Sequence, residues 1–245
     1  MTNFKCAVEY DGTLFNGWSK QPGQRTIQEE IEKALNNILN SETNITCAGR
    51  TDKGVHALGQ VINFETEREI SPEKLIVRLN SLLPDDIAIK SSAKTSESFS
   101  ARKSAKYKTY IYRIFNHPVR SPLYRTRAWY ISKPLNMEKM KKAASFLKGK
   151  RDFSVFDSYN SVFDYKIVDL KDVKVVKKDK FIDMYITGDR FLYKMIRKIA
   201  GELVRIGRGE QTFENFKDSI INKNKEQLGK PAPSCGLYLA KIIYK

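Results

Sequence analysis

The chain has 245 residues, 41% hydrophobic and 29% charged, enough for one large or two ordinary folded domains and too apolar for wholesale disorder. Forty-four Lys and Arg against 28 Asp and Glu leave a net charge of +16, which favours a polyanionic partner, nucleic acid above all. A run of about 18 apolar residues is lacking, which excludes a membrane-spanning helix, and Met1–Lys5 has no apolar signal core, so a cytoplasmic protein is predicted.

Phe4, Cys6, Val8 and Tyr10 alternate with Lys5, Ala7 and Glu9 in the period of a strand. Asp11-Gly12 breaks the pattern and opens a loop holding Phe15, Gly17 and Trp18. Thr26-Ile27-Gln28-Glu29 has the form of a capping box, in which the Thr26 hydroxyl and the Glu29 carboxylate each satisfy a free amide. Behind it Ile27, Ile31, Ala34, Leu35, Ile38 and Leu39 follow helical spacing. A short strand around 44–48, a polar loop and a strand over 60–65 come next. Ser71 and Pro72 predict a helix start, Leu75, Ile76 and Leu79 its apolar face, and Pro84 its stop. With a strand at Ile87-Ala88-Ile89 the order is β-α-β-β-α-β.

Ser91–Ala105, rich in Ser, Lys and Ala without apolar periodicity, is the expected boundary between domains of residues 1–105 and 106–245. A long strand at 107–115 follows, then irregular chain to Pro134, and Asn136 caps a predicted helix. Strands at 167–176 and 181–187 flank the hairpin tip Lys177-Lys178-Asp179-Lys180. Phe191–Ile206 has helical spacing, another helix follows Thr212, and Leu237–Tyr244 alternates as a strand. Hairpins joined by helices indicate an α+β fold, the second half an elaborated copy of the first.

Chemical groups concentrate in Ala48-Gly49-Arg50-Thr51-Asp52-Lys53-Gly54-Val55-His56-Ala57. Its glycines let the backbone turn or approach a ligand closely. A lone carboxylate such as Asp52 serves as general base, nucleophile, metal ligand or loop cap, and the local sequence leaves these open. Arg50 suits a polyanion, or the gap left by an extruded base, as well as an ordinary surface. His56 fits a loop hydrogen bond better than a catalytic dyad. Cys6, Cys47, Cys235, His56 and His117 lie too far apart for a zinc-ligand pattern, and no glycine-rich nucleotide loop is present, so neither metal nor nucleotide cofactor is expected.

Lys106-Tyr107-Lys108-Thr109-Tyr110-Ile111-Tyr112-Arg113 interleaves rings with cations. On a strand Tyr110, Tyr112 and Ile114 share one face, where a tyrosine stacks on a base or merely fills the sheet. Arg197 adjoins the apolar face marked by Ile196 and Ile199, and a partly buried guanidinium needs an anionic partner, for which Asp52 is a candidate.

These residues resemble the bacterial tRNA pseudouridine synthase A family. The resemblance rests on Glu9-Tyr10-Asp11-Gly12 with Gly17-Trp18, on Gly49-Arg50-Thr51-Asp52 with Gly54-Val55-His56-Ala57, and on Phe99-Ser100-Ala101-Arg102. Tyr110-Ile111-Tyr112, Phe191-Leu192 with Met195-Ile196-Arg197, and Gly236-Leu237-Tyr238-Leu239 extend it over nearly the whole chain. It implies conversion of uridine to pseudouridine in the tRNA anticodon stem-loop, typically at positions 38 to 40, by a homodimer. It further implies two α+β halves with mainly antiparallel sheets joined around a central basic cleft, helices on the outer faces.

By the same resemblance Asp52 is the catalytic nucleophile, Tyr110 the active-site tyrosine and Arg197 the basic partner of the aspartate. Arg50, Thr51, Lys53, His56 and Arg102 are expected to bind substrate, Arg50 by assisting base flipping and His56 by shaping the loop. Lys53 stands where alanine is common in the family and adds a cation beside the nucleophile. The isomerisation imports no group and oxidises nothing, so no cofactor is implied. The competing readings are a non-catalytic RNA-binding module and a pseudouridine synthase of ribosomal RNA.

Overall fold

A computed structural model describes residues 1–158 and 166–244. The chain divides into two units, Met1–Lys106 with Tyr238–Lys245, and Tyr107–Leu237, and each mixes helices with mainly antiparallel strands.

In the first unit β1 (Thr2–Tyr10) pairs antiparallel with β3 (His56–Thr66), Cys6 facing Ile62 and Phe4 facing Phe64. On its other side it pairs antiparallel with β4 (Ile87–Thr95), and the two-residue β2 (Thr46–Cys47) joins β3. The strand Leu237–Tyr244 returns to this unit and lies parallel to β3, Tyr238 against His56 and Leu239 against Ala57. Phe4, Cys6 and Val8 of β1 and Ile62 and Phe64 of β3 are buried. So are Ile27, Ile31 and Leu35 of α1 (Ile27–Leu39) and Leu75 and Leu79 of α2 (Pro72–Leu82). Each large apolar side chain removed from water contributes about 1.5–3 kcal/mol.

The order β-α-β-β-α-β is present as the sequence predicts, with three differences. β4 runs on to Thr95, pairing Ser91 with Ala7 and Thr95 with Asn3, so the first five residues of the expected boundary segment are strand. It is the edge strand of this unit's sheet, where solvent-facing positions need no apolar alternation. The closing strand belongs here by its pairing with β3, which a single cut of the chain at 105 does not allow.

The third difference is the capping box. Thr26 occupies the N-cap of α1 with extended backbone, but its hydroxyl makes no cap bond and is buried without a partner among the described residues. Instead the helix amides of Ile27 and Gln28 donate to the carbonyls of Gly17 and Trp18, at 3.3 and 3.0 Å. A neighbouring loop thus does the work of the cap side chain.

β5 (Ala105–Asn116) leads into the second unit, where β6 (Trp129–Ile131) pairs parallel with it and β9 (Phe181–Gly188) antiparallel. β8 (Ile167–Lys178) joins β9, and β7 (Gly149–Asp152) joins β8, both antiparallel. β6 and β7, of 3 and 4 residues, are too short for their period to be read in the sequence. Lys178 faces Phe181, so the hairpin tip narrows to Asp179 and Lys180, with Asp179 at φ 51°.

α3 (Met137–Phe146) packs on β8 and against α4 (Met195–Arg208) and α5 (Phe213–Ile221). Asn136 caps α3 and Thr212 caps α5 through side-chain bonds of 3.0 and 3.1 Å. α4 begins four residues later than its apolar spacing predicts, because Lys194 is left-handed at φ 58° and detaches Phe191–Tyr193 from the helix. The strand Leu237–Tyr244 is β10.

Candidate active site

Residues 48–55 connect β2 to β3 and are held at several points. The Ala48 amide donates to the Val61 carbonyl at 2.8 Å, keeping the start of the loop on β3. Gln60 is fully buried, a polar side chain in the strand row that also carries Ile62 and Phe64. Its amide nitrogen donates to Gly49 O at 2.5 Å, and its oxygen accepts from Gly49 N at 3.3 Å. Thr51 is clasped twice, by the Tyr10 hydroxyl on its Oγ1 at 2.8 Å and by the Trp18 amide donating to its carbonyl at 3.0 Å.

The turn that follows requires glycine. Val55 N donates to Asp52 O at 3.1 Å, and Gly54 adopts φ 74°, a left-handed conformation that L side chains disfavour. The loop after β1 presses on this turn so closely that a Cβ on Gly12 would strike the Val55 carbonyl. Gly17 at φ 93° would bring a Cβ to 2.9 Å from the Thr51 carbonyl. Trp18 therefore links α1, whose Gln28 amide it accepts, to Thr51, to which it donates. Asp52 is left half-buried on this braced loop, with Arg50 and Lys53 exposed on either side.

His56 ends the loop as a buried residue, its ring stacked on Tyr238 at 4.7 Å. Its Nδ1 lies 3.1 Å from the Gly12 amide and 2.9 Å from Asp11 Oδ1, and one ring nitrogen cannot serve both at once. The amide is a fixed donor, whereas Asp11 Oδ1 already accepts from Thr13 N and Oγ1 at 3.1 and 2.6 Å. Nδ1 therefore accepts from Gly12, and the histidine locks the loop after β1 to the end of the aspartate loop.

Five of the sequence-predicted residues, Arg50, Thr51, Asp52, Lys53 and His56, thus share one loop. Arg102 is exposed on a turn anchored elsewhere in the same unit. The preceding Ala101 donates its amide to Asn63 Oδ1 at 2.8 Å and accepts from the Tyr244 hydroxyl at 2.9 Å. Asn63 lies toward the far end of β3 from His56.

Tyr110 and Arg197 belong to the second unit. Tyr110 is 8% exposed, with its ring edge-on to Phe191 at 5.1 Å. Tyr112, on the same strand face, is core: it is fully buried and its hydroxyl donates to Pro233 O at 2.8 Å. Burial pushes its phenol well above the ordinary range. Arg197, in the first turn of α4, donates Nε–H to Ala232 O at 2.7 Å while its own carbonyl accepts from Ala232 N at 2.9 Å. Among the described residues no group of three or more His, Cys, Asp or Glu is placed to hold a metal.

A family model described as tRNA pseudouridine synthase matches residues 6–109 and 143–245, segments that contain both Asp52 and Arg197. The chain belongs to this family. Proteins named tRNA pseudouridine synthase A from Thermoanaerobacter sp. (strain X514) and Acetivibrio thermocellus are 44% and 40% identical to it over 244 residues. One named tRNA pseudouridine synthase A 2 from Clostridium perfringens is 36% identical, and all three alignments cover 100% of both chains.

In this pseudouridine synthase chain the residues that brace Asp52 were the ones sequence reasoning missed. Gln60 left one trace, a polar residue in an apolar strand row, but nothing in the sequence names Gly49 as its partner. Tyr10 reads as an ordinary strand aromatic, and its bond to Thr51 depends on tertiary structure. The backbone carbonyl of Ala232 has no sequence signature at all.

Proposed function

We propose that the protein isomerises uridine to pseudouridine in the anticodon stem-loop of tRNA, at positions 38 to 40, with Asp52 as the nucleophile. What carries this reading is a single half-buried carboxylate on a loop clamped by Gln60, Tyr10 and Trp18, in a chain of the tRNA pseudouridine synthase family. A nucleophile held in place has lost its positional entropy before substrate arrives, which lowers the barrier to attack.

In the reaction the N1–C1′ bond breaks, the uracil turns, C5 bonds to C1′, and C5 gives up its proton while N1 gains one. The target base must first leave the helical stack, at a cost of about a few kcal/mol. Exposed Arg50, two residues before Asp52, is suited to fill the space the base leaves, and Lys53 and Arg102 are suited to phosphates. Thr51 and His56 act by shaping the loop. Tyr110 stacks on the uracil and takes the C5 proton, and Arg197 is the counter-ion of Asp52. The net charge of +16 supports a polyanionic substrate. The family resemblance further implies a cytoplasmic homodimer, which light scattering on the purified chain tests.

The deciding experiment is tritium release from C5-labelled uridine in unmodified tRNA. Asp52→Asn reduces release to background while tRNA affinity stays within about threefold, since a neutral amide of the same shape cannot attack. Release within about tenfold of the unsubstituted protein removes the nucleophile assignment. Mapping pseudouridine in both tRNA and ribosomal RNA of a strain lacking the protein identifies the substrate RNA.

A further inference from the structure

Residues 117–128, between β5 and β6, form a closed loop that the isomerisation chemistry leaves without a task. Its base is fixed by the parallel register of Ile114 with Trp129, Phe115 with Tyr130 and Asn116 with Ile131. The Tyr130 hydroxyl donates to Pro118 O at 2.8 Å, and the amides of Arg127 and Ala128 both donate to Tyr124 O at 3.0 Å. Tyr124 packs edge-on against Phe181 at 4.9 Å. The Asn116 amide donates to Lys180 O at 2.8 Å, which holds the β8–β9 tip beside the loop.

A loop tied at this many points has a fixed shape, yet it leaves Leu123 80% and Val119 66% exposed, with Tyr124 at 39%. Apolar groups held together in water mark an interaction surface. Charge selects the occupant. The sequence has no Asp or Glu between Glu97 and Glu138, and this loop presents Arg120, Arg125 and Arg127, all exposed. The adjoining tip adds Lys177, Lys178 and Lys180 against one acid, Asp179. Asp183 on β9 is neutralised by Arg113, which donates to both carboxylate oxygens at 2.8 Å.

A second copy of the chain would set these cations against each other. A polyanion that also offers flat apolar faces matches both features, because guanidinium groups grip phosphates while rings and leucine pack on unpaired bases. We propose that the 117–128 loop and the β8–β9 tip form an RNA-docking surface, one that holds backbone phosphates and exposed bases of the substrate RNA. The inference rests on the reading of tRNA as substrate and adds a contact surface to it.

Fluorescence anisotropy with unmodified tRNA tests it on the full-length chain. The triple variant Arg120→Gln/Arg125→Gln/Arg127→Gln raises Kd about tenfold, and the slope of log Kd against log salt flattens by about one unit per arginine. Leu123→Asp raises Kd as well but leaves most of the salt slope. Unchanged Kd and slope in both variants overturn the proposal. So does a change in sedimented mass with RNA affinity intact, which would make the surface a contact between copies. The substituted side chains are exposed, so melting temperatures should hold; if a variant unfolds, Lys178→Gln/Lys180→Gln provides the same readout from the tip. Tritium release by the unsubstituted protein is measured in parallel. Failure there removes the isomerase reading, while the Kd and salt comparison still decides the docking surface.

Discussion

Gln60 grips Gly49 from both sides, donating to its carbonyl and accepting from its amide, so one side chain sets where the aspartate loop begins. Gln60→Glu loses the donor and points a carboxylate at a carbonyl. The expected outcome is a fall in turnover of about tenfold or more with tRNA affinity unchanged, read by single-turnover tritium release beside anisotropy. Equal turnover would mean that Thr51 and Trp18 hold the loop without it. A second residue-scale expectation concerns Cys6, whose thiol burial pushes from 9.0 to about 11. The folded state then keeps a proton that the unfolded chain releases, so this contribution is complete below pH 9 and is lost as pH rises through about 11. Melting temperature should decline over that window, and less so in Cys6→Ala. The loop that carries Asp52 was legible because several charged types concentrate in one short glycine-bounded run. Gln60 was not, since its partner is chosen by the register of strands.

Helix starts were readable where the cap is a local bond. Ser71, Asn136 and Thr212 each accept from an amide three residues on, at 3.3, 3.0 and 3.1 Å, and spacing alone is enough to see it. Thr26 has the same signature and fails, because its place is taken by carbonyls from the loop that also carries Trp18. Its hydroxyl is buried with no partner among the described residues, so Thr26→Val, which keeps the shape, should leave the melting temperature unchanged or raise it. A fall of more than about 1 kcal/mol by denaturant titration would show that the hydroxyl has a bond after all. Edge strand β4 and the late start of α4 escaped for related reasons: solvent exposure removes the apolar period, and one left-handed lysine delays a helix that the period would begin earlier.

For the molecule as a whole, the surplus of 44 basic over 28 acidic residues sets the terms of binding. Each phosphate neutralised adds about −0.9 to the slope of log affinity against log salt, so tRNA affinity should fall steeply between about 50 and 200 mM salt. A flat salt response in anisotropy would contradict a backbone-dominated grip. Composition made that legible, and strand and helix order made the α+β class legible. The return of the last strand to the first unit was not, because pairing between β3 and β10 joins residues far apart in the chain, which no local pattern reports.

The return of β10 to β3 bears on the order of events at the ribosome. All of Tyr107–Leu237 is synthesised before Tyr238, so the second unit has its full sequence while the first still lacks a strand. The histidine that closes the aspartate loop must wait for Tyr238 to emerge before its ring has a stacking partner. Closing so long a chain segment is slow compared with forming a hairpin. The loop that carries Asp52 is therefore finished late, and on the proposed reading a nascent chain has no complete site with which to meet RNA.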